Sequence, residues 1–341
     1  MLVSEQLNAV AELLIGMRGS QKEILIFPHL RPDGDCIGSA AALASALRKL
    51  EISSFVVVDE AIPDRLRFIA IPDDLLILYT PDLVEKKSPD IGIAVAVDCS
   101  DAGRMGNSGT LYSVFVQTAV IDHHVSSKGV EGIRYIVPTS ASTAELVLRV
   151  IRSMGEKIGQ DLMDPNIANW LMVGIQSDTG RFSFQNTTPD TFRAAAELLE
   201  RGANVFANAY HLFDLTSVER MKLIAKAMAG AKMFFGGRIA LTVITSDMLK
   251  DTNTTDYATE GLVSSLRDIE GVVVSFVVRE SDEGEVRVNI RSREPFDSAS
   301  FAESFGGGGH HRAAGFSMYG LTANEVCKMI IERAAAFFPE K

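Results

Sequence analysis

Apolar runs in the first third of the chain stop abruptly at carboxylates and imidazoles. Ile24-Leu25-Ile26-Phe27-Pro28 ends at His29, Ile91 to Val97 ends at Asp98, and Thr118 to Ile121 ends at Asp122-His123-His124. Short unbroken apolar runs read as strands buried on both faces of a parallel sheet. In open α/β sheets, ligands bind in the crevice beyond the carboxyl ends of such strands. Three strand ends and the turn Arg31-Pro32-Asp33-Gly34-Asp35 therefore supply His29, Asp33, Asp35, Asp98 and His123. That set can ligate two divalent metals.

The segments between these runs have helical spacing. Val10, Leu13, Leu14 and Met17 mark an amphipathic helix in the first twenty residues, and Ser39–Leu50 is an alanine-rich one. Ser142-Thr143-Ala144-Glu145 has capping-box spacing and predicts a helix through about Met154. Pro165–Ile175 predicts another, running into a second acidic turn from Gln176 to Phe182. Thr191–Arg201 follows, with Gly202 as its stop. Asn204–Ala231 is helical and mixed, as expected of a connection between domains. Beyond it lie a strand at Ile239–Ile244, a helix at Tyr257–Ile269 and a final helix at Ala323–Ala336. Val272–Val278 and Val286–Ile290 flank the turn Ser281-Asp282-Glu283-Gly284 and predict a hairpin. Its second strand sets Arg287, Asn289 and Arg291 opposite Val286, Val288 and Ile290. The expected architecture is α/β: a doubly wound, mostly parallel sheet over 1–203, a helical linker over 204–235, and a smaller α/β domain with a mixed sheet over 236–341.

Composition narrows the function. The 341 residues carry 33 basic and 44 acidic side chains, a net charge of −11. Gripping long nucleic acid requires a basic surface, so no long duplex partner is expected. A local basic pocket would suit a substrate with few phosphates. No run approaches the roughly 18 apolar residues of a membrane span, and the N-terminus lacks the form of a signal peptide. Cys36, Cys99 and Cys327 are odd in number and widely spaced, which fits a reducing cytoplasm and gives no zinc pattern. Cys36 and Cys99 neighbour candidate ligands but read as small buried hydrophobes. Gly306 to Gly309, before His310-His311, can expose backbone N–H groups as an anion-binding nest. Apolar residues of the connecting helices would serve a homodimer or pack on either domain.

Together these residues resemble the DHH phosphoesterases, in the branch where a DHH domain precedes a DHH-associated domain with a Gly-Gly-Gly-His loop. Five blocks agree in order: His29 to Asp35, Asp98, Asp122 to His124, Asp178-Thr179-Gly180, and Gly307-Gly308-Gly309-His310. They span almost the whole chain. The resemblance is to the bacterial nanoRNase type, which implies hydrolysis of short oligonucleotides and of 3′-phosphoadenosine 5′-phosphate. The neighbouring activity is hydrolysis of cyclic di-AMP or linear pApA; a remote alternative is a nucleotide-binding regulator without catalysis. RecJ exonucleases of the family carry extra nucleic-acid-binding domains for which the chain leaves no room.

The resemblance also implies roles. His29, Asp33 and Asp98 would hold one cation, and Asp35, Asp98, His123 and Asp178 the other. Mixed carboxylate and imidazole ligation points to Mn²⁺, with Mg²⁺ or Co²⁺ as alternatives. Two such ions activate water for attack at phosphorus and offset developing charge. His124 and Asp122 would orient ligands or assist proton transfer, although His124 reads equally well as a structural histidine. Arg291 and Ser292 match the family's substrate contacts, and Gly307, Gly308, Gly309 and His310 its grip on the distal nucleotide or phosphate. Four glycines and two histidines stand where the pattern has three and one, so a shift of one would give His311 that role. Arg104, beside a ligand loop, either touches phosphate or steadies the loop.

Overall fold

A computed structural model describes residues 2–87, 91–124, 132–281 and 284–338. The chain divides into two units, Met1–Leu215 and Thr216–Lys341. Among the described residues no helix is long and apolar enough to cross a membrane.

The first unit is built on a sheet of β1 (Glu23–Phe27), β2 (Ser54–Val58), β3 (Leu76–Leu78), β4 (Ile91–Val97), β5 (Thr118–Asp122) and β6 (Ile133–Ile136). Their order is β3-β2-β1-β4-β5-β6, and every pairing is parallel. Alternate residues enter different cores. Ile24, Ile26, Val95 and Ile121 pack under helices, whereas Leu25, Phe27, Ala96 and Val120 pack against Met105, Leu111 and Tyr112. Both faces are covered, so these strands read as continuous apolar runs. The order reverses between β1 and β4, which is where an open α/β sheet opens a crevice for a ligand.

The longer helices of this unit are α1 (Val3–Ile15), α2 (Gly34–Arg48), α3 (Thr143–Ile158), α4 (Pro165–Thr179) and α5 (Pro189–Glu200). Asp33 caps α2 by accepting the Cys36 N–H at 3.0 Å, so the helix begins ahead of the expected Ser39. Ser142 caps α3 as its spacing predicts, but Glu145 turns its carboxylate to Ser140 instead of closing a box. Asp164 caps α4, and Gly180 ends it in the left-handed region at φ 52°. The acidic turn expected after Ile175 is therefore the last turn of a helix, and Asp178 sits on it.

Close packing of α2 on α4 fixes the geometry that follows. A Cβ on Gly38 would lie 2.4 Å from the Trp170 carbonyl oxygen. One on Gly174 would lie 2.7 Å from both Asp35 Oδ1 and the Ala144 side chain. Absent side chains let α2, α3 and α4 converge around Asp35. Gly38→Ala should cost about 1–3 kcal/mol by overpacking, read as a lower urea midpoint at unchanged slope; an unchanged midpoint would show that the seam relaxes freely.

The helical stretch after Asn204 is shared between the units. Val205–Ala209 and the wider turn Tyr210–Asp214 belong to the first. α6 (Val218–Ala229) belongs to the second, where Leu223 and Ala227 join a core with Ala240 and Ile244.

The second unit has a sheet of β7 (Lys232–Phe234), β8 (Ile239–Ile244), β9 (Val274–Glu280), β10 (Glu285–Ser292), β11 (Gly308–His310) and β12 (Ala313–Tyr319), ordered β11-β12-β10-β9-β8-β7. β8 and β9 run parallel and the other pairs antiparallel. The hairpin of β9 and β10 forms as expected, with residues 282 and 283 of its turn outside the described ones. The helix expected over Tyr257–Ile269 is broken at Gly261, φ 81°, into two short turns. α7 (Ala323–Ala334) closes the unit.

Candidate metal centre

The candidate ligands are brought to the carboxyl ends of β1, β4 and β5 and to the adjoining ends of two helices. His29 follows β1, Asp98 follows β4, and His123 follows Asp122 at the end of β5. Asp35 stands in the first turn of α2, and Asp178 in the last turn of α4. Three overlapping triads result: His29, Cys36 and Asp98; Asp98, His123 and His124; Asp35, His123 and Asp178. Within each, one ligand atom per residue lies within 4.8 Å of the others. Asp33 is outside these triads, with one oxygen occupied in capping α2.

Backbone contacts aim the imidazoles. His29 Nδ1–H donates to the Leu30 carbonyl at 2.9 Å, and His123 Nδ1–H to the Ser140 carbonyl at 3.2 Å. A carbonyl only accepts, so Nδ1 carries a proton in both rings and Nε2 is the atom turned toward the acids, where it could meet a cation. His29 Nε2 lies 3.5 Å from Asp98 Oδ2, and His123 Nε2 lies 3.7 Å from Asp98 Oδ1 and 3.1 Å from Asp178 Oδ2. Asp98 is in the left-handed region at φ 57°, a conformation that turns its buried carboxylate between the two rings. Thr143 Oγ1 donates to its Oδ1 at 2.8 Å.

Thr143 was legible as a helix start, but not its target. The first N–H groups of α3 point at Asp35: Thr143 N–H donates to Oδ2 at 2.7 Å and Ala144 N–H to Oδ1 at 2.9 Å. A helix N-terminus thereby steadies a fully buried carboxylate.

These residues suit divalent cations. Burial, followed by the charges of Asp178 and Asp98, pushes the Asp35 carboxyl well above the ordinary range. Burial also raises Asp178, whose pKa reaches about 6 although the His123 imidazole facing it works to lower it. Burial works to lower His123, but Asp178 and Asp35 outweigh it and lift the ring to about 10. His123 Nε2 is nevertheless buried without a well-aligned hydrogen bond. Buried acids crowding an orphaned imidazole nitrogen are a site whose charge a cation balances.

Asp122 is fully buried, and its Oδ1 accepts both the backbone N–H and the ring Nδ1–H of His124, at 3.0 and 2.8 Å. It orients His124 rather than joining the triads. Arg104 is exposed, and its carbonyl accepts the Leu30 N–H at 2.7 Å, stitching its loop to that of His29. Among the described residues its guanidinium has no ion-pair partner.

In the second unit, Arg291 is half-buried on β10, and its guanidinium donates to the Ile290 carbonyl. Burial, together with the Arg267 cation, holds it below its usual range. Ser292 corrects the expectation of a substrate contact. It is 3 % exposed, its Oγ donates to the Phe296 carbonyl at 2.8 Å, and it accepts the Ser298 hydroxyl. The two-residue period of the strand puts it on the apolar face with Ile290.

The glycine run is an ordered edge strand where a nest was expected. Gly308, Gly309 and His310 pair with Gly315, Ala314 and Ala313. A Cβ on Gly307 would lie 2.3 Å from the Gly315 carbonyl, and one on Gly309 2.5 Å from that of Ala313, whereas Gly308 faces open space. His310 is exposed on this strand; His311 Nδ1 pairs with Asp297 at 2.8 Å.

Residues 23–175 match the model of the DHH family, N-terminal domain, and residues 224–336 that of the DHHA1 domain. The chain is 32% identical to the bifunctional oligoribonuclease and PAP phosphatase NrnA of Thermus thermophilus over 96% of its own length and 93% of the relative's. It is 28% identical to the NrnA of Bacillus subtilis, over 87% and 89%. Identity to the cyclic-di-AMP phosphodiesterase PdeA of Listeria monocytogenes is 25%, over 97% of this chain and 50% of that one. Among solved structures, an exopolyphosphatase-related protein from Bacteroides fragilis superposes with a TM-score of 0.88 at 24% identity, over 99% of this chain and 98% of the other. An exonuclease RecJ bound to manganese superposes with 0.59 at 17%, over 98% and 95%. These structures share the fold.

Proposed function

The chain belongs to the DHH family, and from that premise we propose that it is a Mn²⁺-dependent phosphoesterase. Its substrates are short oligonucleotides and 3′-phosphoadenosine 5′-phosphate, hydrolysed at a two-cation centre. The observation that carries this reading is the knot of buried acids around the orphaned His123 Nε2, at the point where the strand order reverses. His29, Asp33 and Asp98 would hold one cation; Asp35, Asp98, His123 and Asp178 would hold the other. Bound there, divalent cations supply positive charge against phosphate and make water more acidic. Asp98 neutralises both positions, and Thr143 and the α3 amides hold Asp98 and Asp35 in place. Asp122 keeps the proton of His124 on Nδ1, which makes Nε2 the basic atom of that ring. The NrnA relatives support this substrate class. So does the acidic charge, which disfavours long nucleic acid.

The test is a panel with Mn²⁺: a di- and a trinucleotide RNA, 3′-phosphoadenosine 5′-phosphate, pApA and cyclic di-AMP. Turnover should be fastest on the short RNAs and the bisphosphate. Preference for cyclic di-AMP would move the protein to the activity of the Listeria relative, and no turnover on any phosphoester would leave a nucleotide-binding regulator.

Arg291, a half-buried cation unpaired with any carboxylate among the described residues, is the proposed phosphate contact. Ala313 of β12 pairs with it on one side and with His310 of β11 on the other, which brings His310 and Gly307 to Gly309 to the same sheet edge, and Arg104 is proposed at the first unit's loop. Loss of a charged hydrogen bond costs about 1.5–3 kcal/mol. Arg291→Ala should therefore raise KM on dinucleotides roughly 10- to 100-fold while kcat changes little. An unmoved KM refutes the assignment.

A further inference from the structure

A thiol lies inside the centre just described. Cys36, in the first turn of α2, is fully buried, and its Sγ accepts the His29 N–H at 3.1 Å. The same sulfur faces the Val97 carbonyl at 3.7 Å, one residue before Asp98. Sγ, one His29 nitrogen and one Asp98 oxygen fall within 4.8 Å of each other. The hard-cation roles given to His29 and Asp98 need no sulfur, so Cys36 is unused by the proposed hydrolysis. Nor is it interchangeable with the other cysteines: Cys99 Sγ turns to the Asp101 carbonyl, and Cys327 is in the second unit.

We propose that Cys36, His29 and Asp98 form a sulfur, nitrogen and oxygen pocket that captures a thiophilic divalent cation, Zn²⁺ or Cd²⁺, in place of the catalytic one. This rests on the reading of the metal centre and adds a selectivity to it. Imidazole and carboxylate ligands already bind Mn²⁺ more weakly than Zn²⁺, and a thiolate widens that gap because soft sulfur favours the softer ions. Three protein ligands of mixed type are also what zinc accepts, with a fourth position open. On capture, the sulfur–metal bond forms and the thiol proton leaves to buffer, with no change of oxidation state. The bridging carboxylate and one imidazole are then tied to an ion bound too tightly to exchange. Thiophilic cations thus inhibit the enzyme through a residue that the hydrolysis itself does not require.

The experiment titrates the full-length chain with Cd²⁺ and reads the ultraviolet sulfur-to-cadmium charge-transfer band, while electron paramagnetic resonance follows Mn²⁺ release. The wild type should show one saturable band and lose its Mn²⁺. Cys99→Ser and Cys327→Ser should keep the band; Cys36→Ser should lose it and bind Cd²⁺ about tenfold or more weakly. Circular dichroism checks the fold of Cys36→Ser. Should that variant fail to fold, X-ray absorption at the zinc edge of the Zn²⁺-loaded wild type reads the sulfur directly, at about 2.3 Å. Displacement of Mn²⁺ by Cd²⁺ without a band, a band that survives in Cys36→Ser, or zinc without a sulfur neighbour overturns the proposal. Failure of the wild type to bind Mn²⁺ at all is a different result: it removes the centre itself and the thiol's role with it.

Discussion

Asp98→Asn should reduce kcat on every substrate by on the order of 10³-fold or more, with the fold preserved. The substitution is well matched to its position. Asp98 has φ 57°, and asparagine tolerates the left-handed region at least as well as aspartate. The carboxamide oxygen can still accept the Thr143 hydroxyl, which now bonds Oδ1 at 2.8 Å. What disappears is one negative charge, at the carboxylate facing His29 on one side and His123 on the other. Alanine would be a poorer probe, because it would add backbone strain to the loss of charge. The decisive measurement pairs kcat with Mn²⁺ affinity. Melting close to wild type without added cation, together with weak Mn²⁺ binding and lost turnover, is the expected combination. Retained turnover would remove Asp98 from the centre.

The part of this centre that lies at strand ends was legible in the sequence. His29, Asp98 and His123 each follow an apolar run, and a parallel sheet must end such runs at its ligand crevice. Asp178 announced itself less clearly. Gln176-Ser177-Asp178-Thr179-Gly180 has the composition of a turn, yet Gly180 acts as the left-handed stop of α4, and the residues before it remain helical. The convergence of α2 and α4 was also hidden. Gly38 and Gly174 look like weak points in helices until Trp170 and Asp35 are seen against them. Ser292 fell to a pattern already in hand, since alternation along β10 places it inward. β3, β6 and β7 are three or four residues long, too short for any period to stand out. In sequence Cys36 reads as a small buried hydrophobe. Its burial agrees with that, but its neighbours belong to a metal centre.

Chelation should destabilise the protein, because the centre is a charge problem in the absence of cations. Asp35 is fully buried among Asp178, Asp98 and Asp33, and the first two raise its carboxyl more than any other neighbouring charge. Hydrogen bonds from the α3 amides and Ser39 hold Asp35 in place without cancelling the repulsion. A cation that binds the folded centre and not the unfolded chain adds RT ln(1 + [L]/Kd), about 2.7 kcal/mol at a hundredfold excess over Kd. For a unit of this size that amounts to roughly 5–10 °C in Tm. Wild-type protein should therefore melt higher in Mn²⁺ than in chelator by that interval. Asp178→Asn separates this account from nonspecific salt effects. It removes one of the repelling charges and one ligand together, so Tm in chelator should stay level or rise while the gain from Mn²⁺ shrinks. Equal melting of the wild type with and without Mn²⁺ would mean that these acids are satisfied by the protein alone, and a structure that needs no cation there gives no reason to place one.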